Sequence, residues 1–584
     1  MPVTSTEGSR RGPRVPGWLV AVAGVVAAVL GVLLLLDPFR SLAVLVAAVV
    51  LALVLLGVGD LAAAARADGS RLRWLTGAVW LAAALAVLVW PGITIRVLAA
   101  VAGLAAVLAG ARRLAAGIRG TDEQRVTAVL LGAAGVAAGG VLLAWPDITV
   151  FVVAVACGVT LVVQGATHAW NAGQPRTRPA TRTRARRFAR TGGAVAAVLV
   201  VALLVSLSVV LHRARPSPDA FYTPPAAVPG APGQLLRSEP FTRGMPADAH
   251  AWRILYTTTR DDGVSAVASG LVLVGKDAPA GPRPVIAWAH GTTGYAEQCA
   301  PTVLDDPLGA GAMPALGDVV VQGWVLVATD YVGLGTAGPH PYLVGQAEGR
   351  SVLDAVRAAR QLGGVSLSDQ TVVWGHSQGG HAALWTGIIQ PTYAPDVPLL
   401  GVAALAPATD LPALVGHLDS LSIGSLFAAY VVQAYSQVYP DVRFDDVVRP
   451  GARVQVREMA DRCLSEPKVV VSVLQALMFR QTILARGVLQ GPFAQRLAQN
   501  VPTGPISEPV LIGQGEADPL ILPAMQQAYV AARCADGWPI DYRTYPGRDH
   551  GGVVADGSPL VPELVRWTED RFAARPAAST CAAR

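Results

Sequence analysis

Residues 371–380 read Thr-Val-Val-Trp-Gly-His-Ser-Gln-Gly-Gly and run into the helix-like stretch HAALWTGIIQ at 381–390. A β-rich run, a G-x-S-x-G and a helix in that order describe a sharp strand-to-helix turn that exposes a serine hydroxyl at the edge of a sheet. Gly375 and Gly379, two before and two after Ser377, remove the Cβ atoms that would keep strand and helix apart. G-x-S-x-G alone also suits an ordinary loop serine. The correct flanks make Ser377 the candidate nucleophile.

A serine at its free pKa is a weak nucleophile, so a base and an acid to orient that base are needed, and after such a turn they follow in the order Asp or Glu, then His. Asp518 comes directly after VLIGQGEA (510–517), where the chain turns at Pro519, and His550 lies in YPGRDHGG (545–552). Glu516 is an alternative acid. Asp549 is read as a surface neighbour, and His417, the other histidine beyond the serine and its helix, falls in a separate apolar region. Backbone N–H groups must also meet the developing oxyanion, one from Gln378 and one from the loop His290-Gly-Thr-Thr-Gly294. Gly291 lets that loop turn, and spacing does not choose between Thr292 and Thr293.

Outward from this centre, β-rich runs alternate with helical stretches: 270–275, 284–290, 319–331, 371–377, 399–407, 509–519 and 540–546. Apolar strands separated by helices predict a mostly parallel sheet with helices on both faces. The expected domain spans 235–584, with a helical cap at about 411–505, the longest interval without a strand signal. Gly333-Leu-Gly335-Thr-Ala-Gly338 satisfies G-x-G-x-x-G, but Pro339 and Pro341 separate it from the next helix, so no phosphate could rest on a helix N-terminus there. The residues suggest no metal cluster and no cofactor.

The first half is different in kind. Apolar residues make up 52% of the 584 and charged residues 15%. Residues 1–218 hold 21 arginines against seven acids, whereas 219–584 are net acidic. Positive charge interleaved with long apolar runs fits membrane orientation better than nucleic acid. Runs at 17–36, about 41–64, 74–90, 97–117, 126–145, 150–170 and 191–211 are each long enough for a hydrocarbon core of roughly 30 Å. Seven spanning helices are expected. Arg10, Arg11, Arg14, Arg66, Arg71, Arg73 and the cluster Arg176–Arg190 all fall on one side, which puts residues 1–16 and the loop 171–190 in the cytoplasm and the C-terminal half outside. Six prolines between Pro216 and Pro232 predict an extended spacer at 212–234. Asp60 and His168 are the polar residues of note in the spans, and Gly132, Gly135, Gly139 and Gly140 are expected to permit close helix packing.

Asp37-Pro-Phe-Arg-Ser, Trp90-Pro-Gly-Ile-Thr and Trp145-Pro-Asp-Ile-Thr recur with their prolines 53 and 55 residues apart, the mark of a threefold helical-hairpin repeat. Over 17–170 this pattern resembles the HdeD family of acid-resistance membrane proteins, which implies a six-helix stress-related module.

In the second half WAHGTTG (288–294), TDYVGLGTAGPHPYLVG (329–345), GHSQGG (375–380) and GQGEADP (513–519) resemble the secretory lipase family, the fungal lipase A-like α/β-hydrolases and their actinobacterial relatives. The resemblance, over roughly 220–575, implies an α/β-hydrolase fold with a helical cap and hydrolysis of fatty-acid esters by Ser377, Asp518 and His550. It also implies disulfides Cys299–Cys463 and Cys534–Cys581. A membrane-anchored, extracytoplasmic ester hydrolase is thus expected, acting on a lipid or small ester. An acyltransferase using the same acyl-enzyme, or a non-catalytic stress protein, are the alternatives. Leu421, Leu426, Phe427, Tyr430, Val431 and Val432 are expected either to line an acyl channel or simply to pack on the sheet.

Overall fold

The computed structural model describes residues 91–119, 125–144, 216–478 and 482–581, together with isolated helical positions before residue 210. It divides into two compact units, Met1–Arg213 and Ala214–Arg584.

In the first unit, helices Pro91–Arg119 and Arg125–Ala144 pack antiparallel through small residues. A Cβ on Gly110 would stand 2.6 Å from the backbone nitrogen of Val136, and one on Gly132 would stand 2.5 Å from that of Leu114. Gly139 is equally tight, whereas a Cβ on Gly140 would meet nothing within 4 Å, so Gly140 takes no part in this contact. The first of these helices begins at Pro91 rather than at 97. Proline suits the first helical position because the N–H it lacks has no intrahelical partner there. Among the described residues one helix, Arg125–Ala144, is long and apolar enough to cross a membrane. The expected spans 17–36, 41–64, 74–90, 150–170 and 191–211, with Asp60 and His168, lie largely outside the described residues.

The second unit is built on a nine-stranded sheet in the order β1-β2-β3-β5-β4-β6-β7-β8-β9. The strands are β1 Leu235–Pro240, β2 Ala249–Thr259, β3 Ser265–Gly275, β4 Arg283–Ala289, β5 Val325–Val332, β6 Leu367–His376, β7 Leu399–Leu405, β8 Val510–Gly515 and β9 Ile540–Tyr545. From β5 across to β9 neighbouring strands run parallel, while β1, β2, β3 and β5 pair antiparallel. This is an α/β-hydrolase sheet with helices on both faces. Crossing in register from β4 through β6 to β7 pairs Ala289 with Gly375 and Gly375 with Ala404, which brings the ends of three strands to one edge.

Two features depart from the sequence reading. The run 319–331 is not one strand: its start belongs to helix Leu316–Val321, which stops at Gln322 and Gly323 before β5 begins. Gly323 has φ +64°, the left-handed value that ends helices. Strands β1 and β2 lack a strong apolar run. Polar residues of β2 are buried but bonded, as with Thr258 Oγ1 donating to Asp354 Oδ2 at 2.8 Å, so the periodicity that marks a buried strand is blurred.

The spacer is also shorter than its prolines suggest. Residues Ala220–Tyr222 form a 3-10 turn capped by Asp219, and Phe221 and Tyr222 are buried. Tyr222 donates its hydroxyl to the carbonyl of Thr302 at 3.0 Å, and the Arg253 guanidinium sits 4.2 Å over the Phe221 ring. Two adjacent aromatics gain enough from burial to dock this stretch.

Between β7 and β8 the chain is helical, with helices Leu411–Leu418, Gly424–Val438, Arg453–Ala460, Val469–Met478 and Pro492–Gln499. Leu426, Tyr430, Val432 and Tyr435 form a separate apolar core here with Met459, Phe493 and Leu497, distinct from the cores on the two sheet faces.

Candidate active site

Ser377 stands between β6 and the helix Gln378–Tyr393 with φ +57° and ψ −117°, a conformation costly for any residue but glycine. The neighbours hold it there: its N–H donates to Leu405 O at 2.9 Å, and its carbonyl accepts from His381 and Ala408. A Cβ on Gly375 would fall 2.0 Å from Gly379 O, and one on Gly379 would fall 1.9 Å from Ala289 O. No side chain fits at either position, which is the physical content of the motif.

Ser377 Oγ lies 2.8 Å from His550 Nε2, and His550 Nδ1 lies 2.8 Å from Asp518 Oδ2. Three residues from separate loops at the sheet edge therefore form one hydrogen-bonded line. The loop after β8 holds Asp518, whose Oδ1 accepts the N–H groups of Leu520 and Ile521 at 2.8 and 2.9 Å. Gln514 Nε2 donates to Oδ2 at 3.1 Å. Burial opposes the Asp518 charge, but the hydrogen bond and charge of His550 and the two backbone donors outweigh it and hold the carboxyl below its ordinary range. Ionised Asp518 with a donor at His550 Nδ1–H leaves Nε2 as acceptor for the serine proton. The alternatives stand elsewhere. Glu516 is exposed and bonds Thr544, Asp549 accepts from Gly552 N, and His417 in the cap contacts Pro519 O.

Among the described residues, no protein acceptor engages the backbone N–H of Gln378 or of Thr292, and both residues line a cleft over Ser377. Thr292 Oγ1 lies 2.9 Å from the Tyr342 hydroxyl. Thr293 is fully buried, is not part of the cleft wall, and uses its carbonyl to accept from Leu464 N at 2.7 Å. Thr292 thus lines the cleft and Thr293 does not.

The cleft is narrow, and besides these residues Leu414, Leu418, Phe427, Val431, Leu520 and Ile521 wall it. Of the six cap residues expected either to line an acyl channel or to pack on the sheet, Phe427 and Val431 wall this cleft. Leu426, Tyr430 and Val432 are fully buried in the cap's own core, and Leu421 packs against it. At 3.6 residues per turn only one stripe of a helix can face the cleft.

Sequence reasoning missed the residues behind the line. His376 Nε2 lies 2.9 Å from the carbonyl of His550. Burial, then the neighbouring His550, lowers the His376 pKa to about 3, so it is neutral and donates from Nε2. Gln378 Nε2 lies 2.7 Å from the buried Glu348 and 3.2 Å from His340 Nε2. Their signals were the variable position of the motif and the run 329–345 that carries the lipase resemblance, of which Gly333–Gly338 was set aside as a phosphate loop. Residues 333–344 form a loop that carries His340 and Tyr342 to the site, and Glu348 lies in the first turn of helix Gly345–Ala359. Both disulfides are formed, with Cα–Cα distances of 5.2 Å for Cys299–Cys463 and 5.3 Å for Cys534–Cys581.

Residues 313–580 match the family described as Secretory lipase, and residues 22–85, 75–144 and 130–206 match three times the short repeat of unknown function DUF308. Curated relatives include Lipase 6 of Candida albicans, 23% identical over 63% of this chain and 83% of the relative. A probable inactive lipase of Mycobacterium tuberculosis is 28% identical over 62% of this chain and 83% of its own length. The X-ray structure of Candida antarctica lipase A matches with TM-score 0.54 and 22% identity, covering 63% of this chain and 89% of that one. The first unit thus carries the threefold repetition seen in its turns, and the second is an ester hydrolase of the lipase and esterase type.

Proposed function

We propose that this protein is a membrane-anchored hydrolase of fatty-acid esters whose second unit works outside the cytoplasmic membrane, with Ser377, His550 and Asp518 as its catalytic triad. The observation that carries the reading is the continuous line from Ser377 Oγ through His550 to Asp518, with 2.8 Å at each step. Ser377 attacks the acyl carbonyl while His550 Nε2 takes its proton, and Asp518 stabilises the imidazolium. The N–H groups of Gln378 and Thr292 receive the oxyanion. His550 then returns the proton to the leaving alcohol, and water attacks the acyl-enzyme by the same route in reverse. Removing one oxyanion donor costs roughly 3 kcal/mol of transition-state stabilisation.

An apolar cleft directly over the serine supports an acyl chain as the group bound there. Anchoring is supported by the apolar helix Arg125–Ala144, the arginine asymmetry of residues 1–218 and the run at 191–211. Two disulfides in the second unit favour an oxidising compartment. Full-length protein should hydrolyse aryl esters and take up a fluorophosphonate at Ser377, and Ser377→Ala should abolish both; turnover retained by Ser377→Ala refutes the assignment.

A further inference from the structure

Glu348 is completely buried, and a carboxyl group so far from water is costly unless its oxygens are well bonded. Its Oε1 accepts from the side-chain amide of Gln378 at 2.7 Å and from the backbone N–H of Leu343 at 3.1 Å. Its Oε2 lies 3.4 Å from His381 Nδ1. His381 Nε2 in turn lies 2.7 Å from the carbonyl of Asn500, which can only accept, so that nitrogen carries hydrogen. One proton then belongs between His381 Nδ1 and Glu348 Oε2, and on either atom the pair is neutral as a whole. Burial raises the Glu348 pKa against the pull of His381, Gln378 and the Leu343 N–H, in keeping with a shared proton. Glu348 therefore brings no net negative charge toward an oxyanion at Ser377.

The two bonds at Oε1 reach both sides of the oxyanion hole. Gln378 follows the nucleophile and offers its backbone N–H as one donor; its Nε2 also lies 3.2 Å from His340 Nε2, so both amide hydrogens are engaged. Leu343 has φ +57°, a value a leucine keeps only where its surroundings impose it. Glu348 holds its N–H, and its carbonyl accepts from Tyr435 Oη at 2.9 Å. The residue before it, Tyr342, meets Thr292, which carries the other donor, hydroxyl to hydroxyl at 2.9 Å. One carboxyl oxygen thus joins the residue after the nucleophile to the loop that braces the second donor.

We propose that Glu348 is a positioning residue of the oxyanion hole, whose Oε1 holds the Gln378 side chain and the turn at 342–343 in one frame and so fixes the aim of the N–H groups of Gln378 and Thr292. This rests on the triad reading above. Donors aimed before the reaction stabilise the transition state without reorganising, and a displacement of about 1 Å costs on the order of 10²-fold in rate. Glu348 is not part of the cleft wall, so its loss acts on kcat and leaves acyl binding alone.

The test compares, on full-length protein, an aryl ester with its thionoester, in which sulfur replaces the carbonyl oxygen and accepts hydrogen bonds poorly. Glu348→Leu should lower kcat on the oxoester about 30-fold with KM within about twofold, and on the thionoester by no more than about threefold, since misaimed donors cost most where oxygen takes the charge. Glu348→Gln keeps an oxygen for Gln378 and Leu343 and offers its amide to His381 Nδ1, and should bring the oxoester-to-thionoester ratio back to within about threefold of wild type. Equal loss on both esters, no loss on either, a KM effect with kcat intact, or no rescue by Glu348→Gln overturns the proposal. If Glu348→Leu shows no cooperative melt, Gln378→Leu, which removes the same side-chain bond and keeps the backbone N–H, is read by the same ratio: a fall supports the proposal and an unchanged ratio overturns it. Ser377→Ala run alongside separates the two readings. Turnover retained by Ser377→Ala refutes the triad and the Glu348 role with it, whereas an inactive Ser377→Ala beside an unchanged ratio in Glu348→Leu overturns the Glu348 role alone.

Discussion

His376 donates from Nε2 to the backbone carbonyl of His550 at 2.9 Å, and the two imidazole rings lie 4.9 Å apart. The residue in the variable position of the serine motif therefore grips the loop that carries the base. That loop, YPGRDHGG, is also tied to the chain after β8, whose Glu516 and Ala517 N–H groups donate to Tyr545 O and Arg548 O at 3.1 and 3.0 Å. His376→Phe should lower kcat about 10- to 100-fold with KM nearly unchanged, since a buried donor is lost without touching the acyl cleft. His376→Gln, which keeps an N–H, should recover part of it. Steady-state kinetics on one soluble ester decides: a rise in KM with kcat intact would show that His376 shapes binding instead.

The Cys299–Cys463 bond ties the segment after the oxyanion loop to the cap, beside the Leu464 N to Thr293 O hydrogen bond. It closes a loop of 164 residues, so its removal should cost about 2–4 kcal/mol of stability. Cys299→Ser/Cys463→Ser should also lose activity at temperatures where the sheet is still folded, because Thr292 sits on the freed loop. Activity and circular dichroism melting together would show unchanged coincident transitions if the bond had only a global role.

Asp330 is buried among Ser269 and Thr302, and burial raises its pKa from 3.8 to about 6 against the pull of those hydrogen bonds. The folded state thus holds a proton that the unfolded chain releases, and wild-type stability declines as pH rises from about 4 through 6 on this account. Asparagine carries no such titration. The stability difference should therefore move in favour of Asp330→Asn by up to about 3 kcal/mol between pH 4 and 7, on top of a pH-independent offset. Thermal melts of both proteins across that range test the sign, and a difference that stays flat contradicts it.

Phe427 and Leu418 line the same cleft as Ser377, and on the reading that it takes an acyl chain they bound its length. Phe427→Trp should shift the preferred ester to a shorter acyl chain, and Phe427→Ala to a longer one by roughly two to four methylenes, each contributing about 0.8 kcal/mol when buried. A chain-length series of aryl esters reads this directly. Parallel loss at every length would place Phe427 outside the acyl path.

The serine motif was legible because its reason is local. Gly375 and Gly379 are needed where backbone passes within contact distance of backbone, and that demand is written two residues either side of Ser377. Asp518 and His550 were legible through chain order, each following a recognisable apolar strand. Thr292 and Thr293 were not separable, because neighbours on a loop differ only in which long-range partner each meets: Tyr342 for one, Leu464 for the other. The cap residues were harder still. Phe427 and Tyr430 are both aromatic residues of one helix, and rotation about its axis alone sends one to the cleft and the other to the core.

By itself the sequence determined the strand-to-helix turn at Ser377, an aspartate and a histidine that follow apolar strands downstream of it, the apolar first half with its threefold turns, and the alternation that makes an α/β sheet. These depend on spacing, on side-chain volume and on the period of apolar residues, which a single chain segment displays. Tertiary structure alone decided that His376 holds His550, that Gln514 holds Asp518, that Phe221 and Tyr222 dock the spacer, and that Glu348 bonds Gln378. Each of those rests on a partner many residues away, where free energy depends on which surfaces meet, and no local pattern carries that information.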